Sequence, residues 1–262
     1  MCELYGLSSS KAAQVKFSLN EFRQHGGRTG NHIDGWGLAY IQQRDTKIYR
    51  EPGAAALSEQ MGNLIEHHEP AQVVISHIRR ATQGRVALEN TQPYTVELAN
   101  RTHIFVHNGN LENVAQALPL THYQMQGETD SEHAFGYLVE RLERLWSHGP
   151  PSLEDRLKCI RQQCNLFDTL GTANFIYHDG DYLYAFANER QQAGGRIGPP
   201  GLWFLRRHWG PNEVQNYIPG IAISGESAEQ FLVASVPLTN EMWLPMYRNQ
   251  LLVAKDGELI IT

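Results

Sequence analysis

Cysteine at position 2 is the residue whose chemistry depends most on where it stands. Initiator methionine is normally trimmed ahead of a small side chain, and loss of Met1 would leave Cys2 with a thiol and a free α-amine on one residue. An α-amine titrates near about 7.7–8.0 and a thiol near about 8.5, so the amine can take the thiol proton directly or through one water. Such a residue is a nucleophile that carries its own base. Taken alone, Cys2 reads first as a small apolar side chain on a buried strand. Three further segments hold polar groups suited to an amide-hydrolysing site: Arg79-Arg80, Asn108-Gly109 and Asp130. Each also has an ordinary structural reading, as solvated arginines at a strand end, a tight Asn-Gly turn and a helix cap respectively.

The elements that must position these residues can be read from periodicity. Residues 2–7 read as a short strand and 17–24 as a short helix that runs into a glycine-rich loop at 26–30. Asp34-Gly35-Trp36-Gly37 leads into a β-type run at 38–41, with a second strand at 47–50. Apolar residues at helical spacing predict a helix over 58–66, and a β-rich run over 72–78 ends at His77-Ile78-Arg79-Arg80. A strand at 103–106 leads into His107-Asn108-Gly109-Asn110, with a helix after it that Asn110 would cap. The best helix signal starts near Asp130, and a second helix follows around 153–163. Strands at 175–177 and 182–186 join across Asp179-Gly180, and another hairpin spans Asp256-Gly257. The stretch from Gly194 to Gly201 reads as an exposed loop. Paired strands on either side of a helical block suit an α+β fold of two antiparallel sheets with helices outside better than a Rossmann alternation.

The composition narrows the classes of partner. A charge of −6, from 22 Lys and Arg against 28 Asp and Glu, repels phosphate backbones and anionic lipid. The strongest basic cluster, Arg79-Arg80 with Arg85, is too small for a nucleic-acid footprint, so a small polar substrate is expected. Three cysteines, Cys2, Cys159 and Cys164, cannot all pair, which points to a reducing compartment. With no signal-like start and no spanning apolar run, the expected location is the cytoplasm. The 12 histidines, His67-His68 among them, show no metal-ligand spacing and read as scattered surface residues. No metal and no cofactor are expected, and residues 1–262 are expected to form one domain.

Taken in order, several segments resemble the class II glutamine amidotransferases, most closely the stand-alone YafJ-type members. They are Met1-Cys2-Glu3-Leu4, His32-Ile33-Asp34-Gly35-Trp36-Gly37, His77-Ile78-Arg79-Arg80-Ala81-Thr82-Gln83-Gly84, Glu89-Asn90-Thr91-Gln92-Pro93, His107-Asn108-Gly109-Asn110-Leu111 and Gly127-Glu128-Thr129-Asp130-Ser131-Glu132. A weaker match, Ala234-Ser235-Val236-Pro237-Leu238-Thr239 with Trp243, extends it toward the C-terminus. The resemblance implies a four-layer αββα sandwich of N-terminal-nucleophile hydrolase type.

The resemblance also implies roles. Cys2 would attack a γ-glutamyl amide and form a thioester. Asn108, through its side-chain amide, and Gly109, through its backbone N–H, would hold the oxyanion. Arg79 would grip the substrate α-carboxylate with paired donors, helped by the Thr82 hydroxyl, and Asp130 would accept from the α-ammonium. Trp36 and Gly37 would form a wall beside the nucleophile. Arg80 stands where many synthase-linked members carry an aromatic residue and Gln83 where several carry histidine, which opens the pocket to substrates other than free glutamine. With no room for a synthase domain, ammonia would pass to a partner protein or be released. A reading of a different class is a non-catalytic module that keeps the pocket to sense glutamine or a γ-glutamyl compound.

Overall fold

The computed structural model describes residues 1–192, 194–209, 221–223 and 228–261. In chain order the first half runs β1 (Glu3–Val15), α1 (Lys16–His25), β2 (Trp36–Gln42), β3 (Asp45–Glu51), α2 (Glu59–His67), β4 (Ala71–Ile78), β5 (Tyr94–Leu98) and β6 (Arg101–Leu111). Three helices follow, α3 (Val114–Ala117), α4 (Asp130–Leu145) and α5 (Leu153–Asp168). The remainder is strand: β7 (Gly171–His178), β8 (Leu183–Ala187), β9 (Arg190–Gln191), β10 (Ile197–Gly198), β11 (Trp203–Trp209), β12 (Ile221–Ile223), β13 (Ala228–Ala234), β14 (Leu244–Pro245), β15 (Gln250–Lys255) and β16 (Glu258–Ile261).

Among the described residues, one sheet runs β14-β11-β13-β1-β4-β2-β3, with β12 also paired to β1, and a second runs β16-β15-β8-β7-β6-β5. Every described pairing in both is antiparallel. Side chains alternate across a strand, so each sheet has two faces to bury. Leu4 of β1 joins Ile75, Val233, Ile104, Val106, Ile176 and Leu252 in the core between the sheets. Tyr5 and Leu7 point the other way, into a core with Leu19 and Phe22 of α1 and Met61 and Ile65 of α2. On the far side, Phe105, Phe175 and Phe186 pack against Phe135 and Leu138 of α4 and Phe167 of α5. Three cores between four layers make the αββα sandwich that the sequence led us to expect.

Several boundaries move. The first strand extends to Val15, well beyond the expected residue 7, and Ser58 proves to be the cap of α2, its hydroxyl accepting from the Met61 amide at 3.1 Å. The strand that begins at Arg101 continues through Asn108-Gly109 to Leu111, so this dipeptide is not a turn, and Asn110 caps no helix. The helix after it is only Val114–Ala117. Asp256-Gly257 does form the two-residue hairpin turn, with φ of 49° and 79°. Within 194–201, β10 pairs back with β9 in a small ladder, and Ala193 lies outside the described residues. No helix among the described residues is long and apolar enough to cross a membrane.

Candidate active site

Cys2 immediately precedes β1, whose Glu3 pairs with Ile78 at the end of β4. That pairing sets the cysteine beside Arg79-Arg80. Its Sγ donates to the Arg80 carbonyl at 3.6 Å and accepts from the Arg80 amide at 3.4 Å. Burial pushes the Cys2 thiol up from its ordinary value, while the Arg80 amide, the chain amine and the Arg79 guanidinium oppose the rise and the Asp130 carboxylate adds to it. The charges of Arg79 and Asp130, from different parts of the chain, are thus both felt at this sulfur. The α-amine at Met1 is held below its ordinary value, first by burial and then by Arg80 and Arg190 against the pull of Cys2 and Glu3.

Arg79 is 3% exposed, which rules out a solvated surface arginine. Its guanidinium donates to the carbonyls of Arg85 at 2.9 Å, Gln83 at 2.8 Å and Gly84 at 3.1 Å. The side chain therefore shapes the loop that follows β4, and two of a guanidinium's five donors remain for a ligand. The main chain around it is pinned by the Asp34-Gly35 segment: Arg79 N–H donates to the Gly35 carbonyl at 2.7 Å, and the Ala81 amide donates to Asp34 Oδ2 at 2.8 Å. Thr82, on the same loop, is exposed.

Asn108 lies on β6 with Ile104 and Val106, so its side chain faces the space between the sheets. Leu4 shows that even-numbered residues at the start of β1 share that side, and Cys2 continues the alternation. Asn108 is 1% exposed, and neither its amide nitrogen nor its amide oxygen has a hydrogen-bond partner among the described residues. Buried amides are normally paired, and groups left unpaired mark strained or functional positions. A Cβ on Gly109 would lie 1.9 Å from the Thr172 carbonyl and 2.7 Å from His107 Nε2, so only glycine fits that close approach to β7.

Asp130 begins α4 and is 8% exposed. The cap is Thr129, whose hydroxyl accepts from the Glu132 amide at 3.1 Å, and this frees Asp130 from the capping role. Its Oδ2 accepts from the Leu111 amide at 2.8 Å, tying the head of α4 to the end of β6. Gly37 faces Gln92, whose carbonyl would sit 1.9 Å from an added Cβ. Trp36 points to the opposite face of β2 and is fully buried with Phe22 and Met61, so the indole lies in the outer core and only Gly37 lines the inner side.

Sequence reasoning gives no role to Gln92 or Asn90, and only a pocket-rim role to Gln83, yet all three hold these parts together. The Gln92 side chain clamps the residue before Asn108, accepting from the His107 amide at 2.6 Å and donating to the His107 carbonyl at 3.1 Å. The Asn90 side chain accepts from the Glu128 amide at 2.9 Å and donates to the Arg85 carbonyl at 3.1 Å, linking the Arg79 loop to the α4 approach. Gln83 Nε2 donates to Asn110 Oδ1 at 2.7 Å. Their presence in the quoted motifs was the available signal. The histidines need correction: six of the 12, His68, His77, His103, His107, His133 and His178, are buried and not surface residues. His77 has neither ring nitrogen partnered among the described residues, and burial, with help from Arg79, His107 and His32, lowers it to about 3.

Two antiparallel sheets packed between helices, with Cys2 just ahead of a central strand, match the N-terminal-nucleophile hydrolase type of fold. The sequence matches the family described as glutamine amidotransferases class-II over residues 1–262. It is 32% identical to a Haemophilus influenzae protein named "Putative glutamine amidotransferase", over 99% of this chain and 86% of that protein. A solved Pseudomonas aeruginosa structure, described as a "predicted glutamine amidotransferase", superposes with a TM-score of 0.71 at 28% identity and covers 100% of both chains. The glutamine phosphoribosylpyrophosphate amidotransferase of B. subtilis shares the fold, with a TM-score of 0.61 at 18% identity over 98% of this chain and 48% of that one. The chain belongs to the class II glutamine amidotransferases, a family whose chemistry is hydrolysis or transfer of the glutamine side-chain amide.

Proposed function

We propose that residues 1–262 act as one amidohydrolase domain on glutamine or a related γ-glutamyl amide, with Cys2, exposed by removal of Met1, as nucleophile. The terminal amine takes the thiol proton, and sulfur attacks the side-chain amide carbon. The oxyanion is held by the Asn108 amide and the Gly109 N–H, and collapse expels nitrogen as ammonia or an amine after it takes the proton back from the terminal amine. Water then hydrolyses the γ-glutamyl thioester by the same proton path and restores the thiol. Arg79 and Thr82 address the substrate carboxylate, and Asp130 its ammonium. No step calls for a metal or a cofactor. Ammonia is released or handed to a partner protein.

The observation that carries this reading is the Asn108 amide, buried and unpartnered among the described residues on the inner face of β6 while the main chain around it is clamped. A preorganised donor aimed at developing charge is what acyl transfer needs. Intact-mass analysis should find Met1 removed, and the purified protein should release ammonia from glutamine or an amine from a γ-glutamyl peptide. A glutamine-mimicking electrophile should label Cys2. Full activity in Cys2→Ala would reject the proposal, and quantitative retention of Met1 would favour a sensing module.

A further inference from the structure

Among the buried carboxylates that the mechanism leaves unused, one belongs to the residue next to the nucleophile. Glu3 is 6% exposed and, by strand alternation, points to the outer face of its sheet, away from Cys2. Three separate segments grip it. His25, at the end of α1, places Nδ1 2.7 Å from Oε2, and His32, in the loop before β2, places Nε2 4.0 Å from Oε1. Arg190, on β9, brings a guanidinium nitrogen to 3.6 Å from Oε1.

These partners are fixed in turn. His32 Nδ1 lies 3.1 Å from the His25 carbonyl, and Glu21 faces the other nitrogen of His25 at 3.6 Å. Arg190 also donates to the Ser235 carbonyl. Ser235 in turn holds Leu4, its hydroxyl accepting from the Leu4 amide at 2.9 Å and its amide donating to the Leu4 carbonyl at 3.0 Å. Residues 3 and 4 are thereby clamped by side chain and main chain, whereas Cys2 itself is held through sulfur.

We propose that Glu3 is a positioning residue: its grip by His25, His32 and Arg190 sets the direction in which the main chain leaves β1 toward Cys2, and so places the terminal amine against the thiol. The inference rests on Cys2 being the nucleophile. Substrate is read by Arg79, Asn108 and Asp130 on other elements, so loosening Glu3 disturbs the proton transfer and leaves the cradle intact. Burial works against the Glu3 charge, but the His25 hydrogen bond and the charges of His25, His32 and Arg190 hold its carboxyl below the ordinary value. His25 is raised in return, chiefly by its hydrogen bond to Glu3.

The test compares wild type with Glu3→Gln, which keeps the shape and removes the charge, and with Arg190→Gln, which removes one grip and serves if the first variant does not fold. Active sites are counted by covalent labelling with a glutamine-mimicking electrophile, and kcat is expressed per labelled site. Loosening is expected to lower per-site kcat by about tenfold or more while KM for glutamine stays within about twofold, and to shift the acidic limb of the kcat/KM profile. Glu3→Asp, which keeps the charge, should recover part of the loss. A per-site kcat within about twofold of wild type with an unmoved pH profile overturns the inference, including when fewer sites label because less protein folds. Wild-type protein that neither hydrolyses glutamine nor labels would overturn the nucleophile reading itself.

Discussion

Replacing Asn108 by alanine should separate catalysis from stability in opposite directions. Removing one oxyanion donor costs about 2.7–4 kcal/mol in other acyl-transfer enzymes, which corresponds to about 10²–10³ in kcat. In the folded chain the Asn108 side chain is 1% exposed and has no partner among the described residues, so it makes no hydrogen bond there that truncation would break. A buried unpaired polar group costs about 1–3 kcal/mol, and deleting it recovers that amount, less about 1 kcal/mol for lost packing. The expected outcome is an unfolding free energy that is unchanged or raised by up to about 2 kcal/mol, together with a kcat lowered by at least about 10². Ammonia release under saturating glutamine and urea unfolding on the same preparations provide the two readings. Asn108→Asp is the control, because it keeps the size and replaces the donor with a repelling charge, and it should be as inactive as alanine. A kcat within about threefold of wild type, or a stability loss large enough to explain the lost rate, would refute the assignment of this amide to the oxyanion.

Two further outcomes follow from the same geometry. Arg79→Lys keeps a positive charge but cannot serve three carbonyls and a carboxylate, so KM for glutamine should rise by about tenfold or more. Amide exchange at residues 83–85 should quicken in the same variant, and unchanged exchange there would contradict the loop-holding role. His77 titrates near 3 when folded and near 6.5 when unfolded, so the unfolded chain binds the extra proton in that window and stability falls as pH drops below 6.5. At pH 5 the loss from this residue is about 2 kcal/mol, from roughly 1.5 pH units at about 1.36 kcal/mol each. Urea unfolding at about pH 7.5 and 5 should show this loss in wild type and a smaller one in His77→Asn; equal losses would reject it.

Periodicity is enough to place α1, α2, α4, α5 and the strands β1–β4 and β6–β8, whose apolar residues repeat on their buried faces, but it does not reveal β5, β11 or β13. It failed where a strand and a turn share a signature. Asn108-Gly109 carries the strongest turn dipeptide, but in β6 the glycine answers a close approach by Thr172 and the asparagine an inward-facing position. Asp130 likewise has a cap as its ordinary structural reading, because aspartate commonly caps helices, but the Thr129-to-Glu132 spacing claims that role. The buried histidines were out of reach for a different reason: His77 and His107 sit on strands among apolar neighbours, and their type alone gave no hint of burial. The Glu3 clamp draws its partners from positions 25, 32 and 190, and no local pattern reports contacts between such distant residues.

The distribution of hydrogen bonds around the site bears on how it would work. The parts that must stay still are each fastened by side chains to someone else's main chain: Gln92 to His107, Asn90 to Glu128 and Arg85, Asp130 to Leu111, Arg79 to residues 83–85. Among the described residues the Asn108 amide and two Arg79 donors are left over, and the proposed function assigns them to the substrate. Stabilising charge that appears only during reaction requires donors that do not reorganise, since reorientation during the reaction would cancel much of the gain. On the proposed mechanism, a frame in which the supports are satisfied and the working groups are not would carry its cost in the free protein, as an Asn108 amide unpaired among the described residues, and would return it when an oxyanion forms. The same logic bears on how Cys2 can sit at a strand end: with Glu3 held by its side chain, Leu4 by its main chain and Cys2 through its sulfur, the chain ahead of β1 has few directions left in which to point.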